Sequence, residues 1–351
     1  MDTEPSFFTS WLERESLPVV RGAVVSDLTQ LTLTANRRAG GDAAWIVLDG
    51  ARGTNAGLLQ AIAPGASLQP QKHLYESIIF VLEGRGSATI GDEPDGRQTF
   101  EWARGSAFGV PLNATFEMHN SSRAERALYI EVSAAPLVLD LFRNEDFVFN
   151  NAYRFRERFP GDAGSFTHEP RHLGGRLYQT NFIADVRTHP LVPWNERGRG
   201  SNNATFEIVG NALICHISEF PVGTYKKAHR HGPGAWVFIV SGQGYSLMWP
   251  DGGERARYGW HDGSVIVPPD QYFHQHFNVG STPARYLAIR WGGVKYPMQA
   301  LNWEQRRVDL SVKIGGDQIE YEDQDPEIDR LFEAELARTK ASSRRGMPIP
   351  S

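Results

Sequence analysis

The residues of this chain best suited to chemistry are His229 and His231, in AHRHG, and His274 and His276, in FHQHF. Residues two apart in a strand project from one face, so His229 and His231 aim both imidazoles at one point while Arg230 faces away. A second pair on a neighbouring strand of the same small barrel supplies a third imidazole. Imidazole suits iron, copper, nickel and zinc, and a three-ligand protein face leaves open positions for substrate or oxygen. A lone histidine on a strand is more often a hydrogen-bonded structural residue than a ligand. Here four of the eleven histidines fall into two His-x-His pairs, each bounded by turn glycines and prolines, and that concentration favours a metal site. The competing reading is two histidine clusters at a barrel rim that take up metal only adventitiously.

The elements that must position these side chains are short strands. Thirty-five glycines and 21 prolines separate runs rich in Val, Ile, Phe, Tyr and Thr, the signature of an all-β barrel or sandwich. An internal repeat sharpens this. Residues 63–90 align without gaps on 221–248, placing Gly65 on Gly223, His73 on His231, Gly84 on Gly242 and Gly86 on Gly244. The downstream pieces GSAFGVPLNATFEMHN and GSVIVPPDQYFHQHFN also correspond, with an expected insertion or deletion of about one residue between them. One barrel has been built twice. SFFTSWLERE, PLVLDLFRNEDF, NAYRFRERF and PEIDRLFEAELARTKA have helical spacing and read as covers and connectors. The expected division is an N-terminal barrel with helical lead-in over 1–145, a connector over 146–205, a metal-binding barrel over 206–300 and a helical tail over 301–351. The final ASSRRGMPIPS is expected to be mobile or held only by an oligomer partner.

The motifs quoted resemble those of the cupin superfamily, over both repeats and about two thirds of the chain. The first cupin motif corresponds to Gly223, His229, His231 and Gly242, and the second to Gly263, Pro268, His274 and Asn278. The resemblance implies two double-stranded β-helix barrels, makes His274 the third ligand with His229 and His231, and leaves His276 beside the substrate. Where most cupins carry a glutamate ligand this chain has GPGAW, with Gly234 or Ala235 at that depth. The site is therefore expected to be three histidines. HRHGPGAWVFIVSGQG followed by PPDQYFHQHFN is similar to the ring-cleaving cupin dioxygenases of gentisate and salicylate, in which three histidines bind ferrous iron in a two-barrel chain. Those enzymes carry their iron in the first barrel, whereas the matching motif here lies in the second.

Three neutral imidazoles leave Fe(2+) its full charge, which favours an anionic chelating substrate. His276 is expected to hydrogen-bond a substrate oxygen or pass a proton, the alternative being a bond to the chain itself. Arg290, in YLAIRWG, is the candidate for holding a substrate carboxylate, with Lys227 and Arg230 behind it. Trp236, Phe238 and Tyr245, with Met248 and Trp291, are candidates for the walls of an aromatic pocket, against the plainer reading of ordinary core. In the first repeat Gln71 replaces His229. His73 and Glu76 remain there, with Phe116 or Glu117 at the position of His274 and His119 nearby. That barrel is expected to be metal-free, the alternative being a weak site from His73, Glu76 and Glu117 or His119.

The leading expectation is an iron-dependent dioxygenase opening the ring of a hydroxylated aromatic acid with O2. The alternative is a metal-dependent cupin enzyme that uses no oxygen, such as an isomerase, hydrolase or decarboxylase; a non-catalytic binding protein stands behind both. A formal charge of −5 with interspersed signs gives no footprint for nucleic acid, and no apolar run is long enough for a membrane span. A soluble, cytoplasmic homo-oligomer, dimer or tetramer, is expected. Cys215, in NALICHI, reads as a small core residue.

Overall fold

The computed structural model describes residues 5–92, 96–298, 307 and 309–339; ASSRRGMPIPS lies outside them. The chain is all-β, two β-barrels of double-stranded β-helix form with helices at the periphery. Among the described residues the first barrel joins an eight-stranded sheet to a three-stranded one, and the second a nine-stranded sheet to a five-stranded one.

The two halves share one register. Gln71 bridges Phe116 in the first barrel as His229 pairs with His274 in the second, and Ile90 faces Phe116 as Met248 faces His274. The repeat therefore runs through to Asn120 and Asn278 without the insertion expected from sequence. Both asparagines do the same work: Asn120 donates to the carbonyls of Ile62, Ala63 and Glu125, and Asn278 to those of Pro221 and Thr282. The paired glycines Gly86 and Gly244 are required by close approach. A Cβ at either would run into a carbonyl oxygen, of His119 or Phe277, and into a tryptophan ring, Trp102 or Trp260.

The barrels are laced together. Val24–Val25, from the N-terminal lead-in, pairs with Val265–Ile266 of the second barrel, while Phe182–Ile183, from the connector, pairs with Ala107–Val110 of the first. The connector also carries Arg171–Gly174, Leu177–Gln179 and the start of Asn202–Glu207, all in the nine-stranded sheet. It is part of the two barrels, and the strands of the second begin well before position 206. The tail likewise contributes strand Gln318–Ile319, beside Ala228–His229.

Strand periodicity sorts the apolar residues into three layers. One large core contains Leu213, Cys215, Ile217, Trp236, Phe238, Leu287 and Ile289 of the second barrel with Ile78, Phe80, Ile130 and Val132 of the first. The second barrel's interior holds Phe220, Val237, Ile239, Met248, Trp260, Tyr286 and Ala288. Its small sheet is capped outside by helix Pro326–Thr339, which sets Ile328, Phe332 and Leu336 on Tyr225, Tyr245 and Phe277. Helix Phe7–Glu15 forms as its spacing predicts: the Ser6 hydroxyl caps it by accepting from the Thr9 amide, and Phe8, Trp11 and Leu12 are buried. PLVLDLFRNEDF forms two short helices, Ala135–Phe142 and Glu145–Phe149. NAYRFRERF is not helical. Its backbone carbonyls at Asn151 and Tyr153 are taken by the Asn113 side chain, and Arg158 is anchored on the Gly210 carbonyl, so tertiary bonds replace helical ones.

Candidate metal centre

Strand Phe273–Asn278 lies between Ala228–His229 and Gln243–Trp249, so His274 sits across from His229 and His276 across from Ser246. His231 follows in the loop, where its backbone carbonyl accepts from the Gln271 amide. His229, His231 and His274 converge, one ring nitrogen of each lying within 4.8 Å of the others. Among the described residues this is the one group of three or more possible ligands so placed.

The donor set fits a divalent metal ion. In each imidazole Nδ1 lies against a backbone carbonyl, Lys227 O at 3.3 Å for His229, Gly232 O at 2.8 Å for His231 and Tyr272 O at 3.2 Å for His274. A carbonyl only accepts, so each Nδ1 carries the hydrogen and each Nε2 keeps its lone pair. Burial acts in the same direction. It pushes His229 and His274 well below the ordinary histidine range, and His231 down to about 4, so the rings are held neutral as ligands require.

His276 is oriented differently. Its Nδ1 is 2.7 Å from the Ser246 hydroxyl, which accepts from the Trp260 indole at 3.0 Å. The serine hydrogen has His276 Nδ1 as its acceptor, which puts the imidazole hydrogen on Nε2. Burial, then the nearby Lys226 and His231, push His276 down to about 3.

All four rings line one cavity of about 780 Å³. Its apolar walls are Ile214, Val237, Ala288 and Trp291, and its charged groups are Arg176, Arg197, Arg290, Glu196 and Asp309. Arg290 projects into it as expected, giving Nε to His216 Nδ1 at 3.4 Å and Nη1 to the Trp291 carbonyl at 2.9 Å. Burial followed by the charge of Arg197 lowers Arg290 to about 10, leaving it cationic at neutral pH.

The aromatic candidates lie elsewhere, for a reason of parity. Trp236 and Phe238 alternate with the cavity-lining Ala235 and Val237, so they point out of the barrel. There the Trp236 indole donates to Asn55 at 2.9 Å and Phe238 meets Phe80 at 5.6 Å, both in the core between barrels. Tyr245 points outward from the small sheet, stacked on Phe277 at 4.6 Å with Arg257 over its ring at 4.2 Å. Met248 packs in the barrel interior, while Trp291 does reach the cavity. Lys227 pairs with Glu320, and Arg230 with Asp317 and Asp251, both away from the cavity.

The first barrel's candidates are spent on structure. His73 is held by Glu131 at 2.9 Å and stacks on Tyr75, Phe116 fills the place of the third ligand, and Glu117 pairs with Arg97. Glu76 accepts the backbone amides of Ala212 and Leu213 from the second barrel, at 2.8 and 3.0 Å, and pairs with Arg158.

Sequence reasoning missed Arg176, Arg197, Asp309 and His216. His216 had a signal: in LICHISEF it shares a strand face with Ile214, opposite the buried Cys215. The others come from connector and tail segments with no periodicity.

No family model and no curated protein sequence matches the chain. Comparison with solved structures finds the same two-barrel architecture in oxalate decarboxylase. One mutant of the Bacillus subtilis enzyme is 14% identical, with a TM-score of 0.52 over 77% of either chain. A Bacillus subtilis structure from a study of its Mn(II) centres is 16% identical, with a TM-score of 0.51 over 77% of either chain. A structure concerned with the enzyme's substrate binding and reaction specificity gives 14% and 0.50 over the same shares.

Proposed function

We propose that this chain is a metal-dependent enzyme acting on an organic acid, which it binds between the three-histidine centre and the arginines facing it. The observation that carries this reading is one cavity whose walls combine three converging neutral imidazoles with three arginines. A divalent ion on His229, His231 and His274 would supply a Lewis acid for a carboxylate or carbonyl oxygen. Arg290 holds the acid's charge in a planar fork. His276, with hydrogen on Nε2, donates to a substrate oxygen and stabilises charge that develops there. Ile214, Val237 and Ala288 give the reacting end an apolar wall.

Decarboxylation, isomerisation or hydrolysis without oxygen is the reaction class this arrangement favours, and the neighbours named as oxalate decarboxylase share its architecture. A cavity of about 780 Å³ falls in the range of drug-sized ligand sites and has room for an acid larger than a two-carbon one. A second reading, an Fe(2+) dioxygenase opening a hydroxylated aromatic acid, is favoured by a ligand group made of imidazoles alone and by room for a ring.

The test is metal analysis of the purified full chain, then incubation of manganese- and iron-loaded protein with a panel of aliphatic and hydroxy-aromatic acids. Substrate loss without oxygen uptake supports the first reading. Oxygen uptake stoichiometric with substrate loss selects the second, and a chain that binds no metal overturns both.

A further inference from the structure

Arg197 sits at the end of a short turn, Asn195–Arg197, that is tightly held. Its carbonyl accepts from the Lys227 amide at 2.9 Å, and the preceding Glu196 carbonyl accepts from Gln318 at 3.1 Å. The side chain lines the cavity yet is only 4% exposed. Nη2 donates to Asp309 at 2.7 Å, while Nε and Nη1 are buried and face no acceptor among the described residues. That pairing does not cancel the charge. Asp309 lies at the surface and is shared with Arg176, 3.8 Å away, and both guanidiniums lie over the Trp194 ring, at 4.0 Å for Arg176 and 5.0 Å for Arg197. A buried guanidinium with two idle donors costs stability, and a rigidly held one is preorganised to donate to an oxyanion.

We propose that Arg197, supported by Arg176, is a second anion subsite, so that the substrate is an acid with two anionic groups, one at the metal centre and one at Arg197. This rests on the reading of the cavity as a metal-dependent acid site and narrows its substrate class. A carboxylate of the ligand accepts from one of the idle donors together with the second hydrogen of Nη2, and Trp194 keeps the guanidinium planes in place.

The experiment is calorimetric titration of the full chain loaded with zinc, which has no redox chemistry. The ligands are two pairs of acids that differ by one distal carboxylate: α-ketobutyrate against α-ketoglutarate, and salicylate against carboxysalicylate. In the unaltered protein at least one diacid binds about tenfold or more tighter than its partner. In Arg197→Met that preference disappears, the diacid falling about tenfold or more to bind no tighter than its monoacid partner, and Arg197→Lys, which keeps the charge, retains part of it. Equal binding of both members of each pair by the unaltered protein overturns the subsite, as does a diacid preference that survives Arg197→Met. Failure of every acid to bind the metal-loaded protein overturns the acid-site reading itself, and the subsite with it.

Discussion

Four imidazoles share one cavity, and what separates the ligands from the fourth is the partner of Nδ1. Three give that hydrogen to a carbonyl; His276 accepts one from Ser246. The roles should part accordingly. His231→Ala is expected to lower bound metal at least tenfold by elemental analysis with an unchanged circular dichroism spectrum, because the barrel core does not depend on the ion. His276→Ala should retain metal while kcat falls about a hundredfold or more; equal loss of metal would make it a ligand. The same burial predicts a pH effect on the metal-free protein. His231 and His276 titrate near 4 and 3 when folded and near 6.5 when unfolded, so between those values the unfolded chain holds more protons. Stability is full above about 6.5 and is lost as pH falls toward 4, by up to about 1.4 kcal/mol per pH unit for each such histidine. Urea midpoints across that window check the sign.

At the scale of elements, two-residue alternation decides which side chains reach the cavity. It makes the ligand histidines legible from the sequence, since the His-x-His spacing itself states that two rings share a face. The same rule applies to Trp236 and Phe238, but using it requires knowing which face of their strand is the interior. Size and aromatic character carry no such information, so sequence reasoning puts these two on the wrong side. Arg197 is illegible for a different reason: it stands in an irregular turn brought to the site by bonds to Lys227 and Gln318, distant in sequence. Helix Pro326–Thr339, by contrast, declares its buried face through its spacing. Phe332→Ala, at the centre of that cap, should cost about 3–5 kcal/mol in denaturant unfolding.

For the whole molecule, the two barrels are joined by a shared core and exchanged strands. Their large sheets share a core, the lead-in lends a strand to the second barrel's sheet and the connector lends one to the first's, and Glu76 of the first barrel secures the amides of Ala212 and Leu213 in the second. The repeat makes the duplicated barrel readable; the exchanged strands, only two residues long and without pattern, are not. Calorimetry of the full chain should show a single transition whose calorimetric and van't Hoff enthalpies agree. Two separate transitions would show that the seam is weaker than its contacts imply.

Strand Gln318–Ile319 borders Ala228–His229, so a late segment of the polypeptide flanks one of the earliest metal ligands to be synthesised. A ribosome delivering this chain has already extruded the first barrel and all three ligand histidines before that neighbour emerges. That border of the centre is therefore ordered last, after every ligand has been made, rather than as each histidine leaves the ribosome.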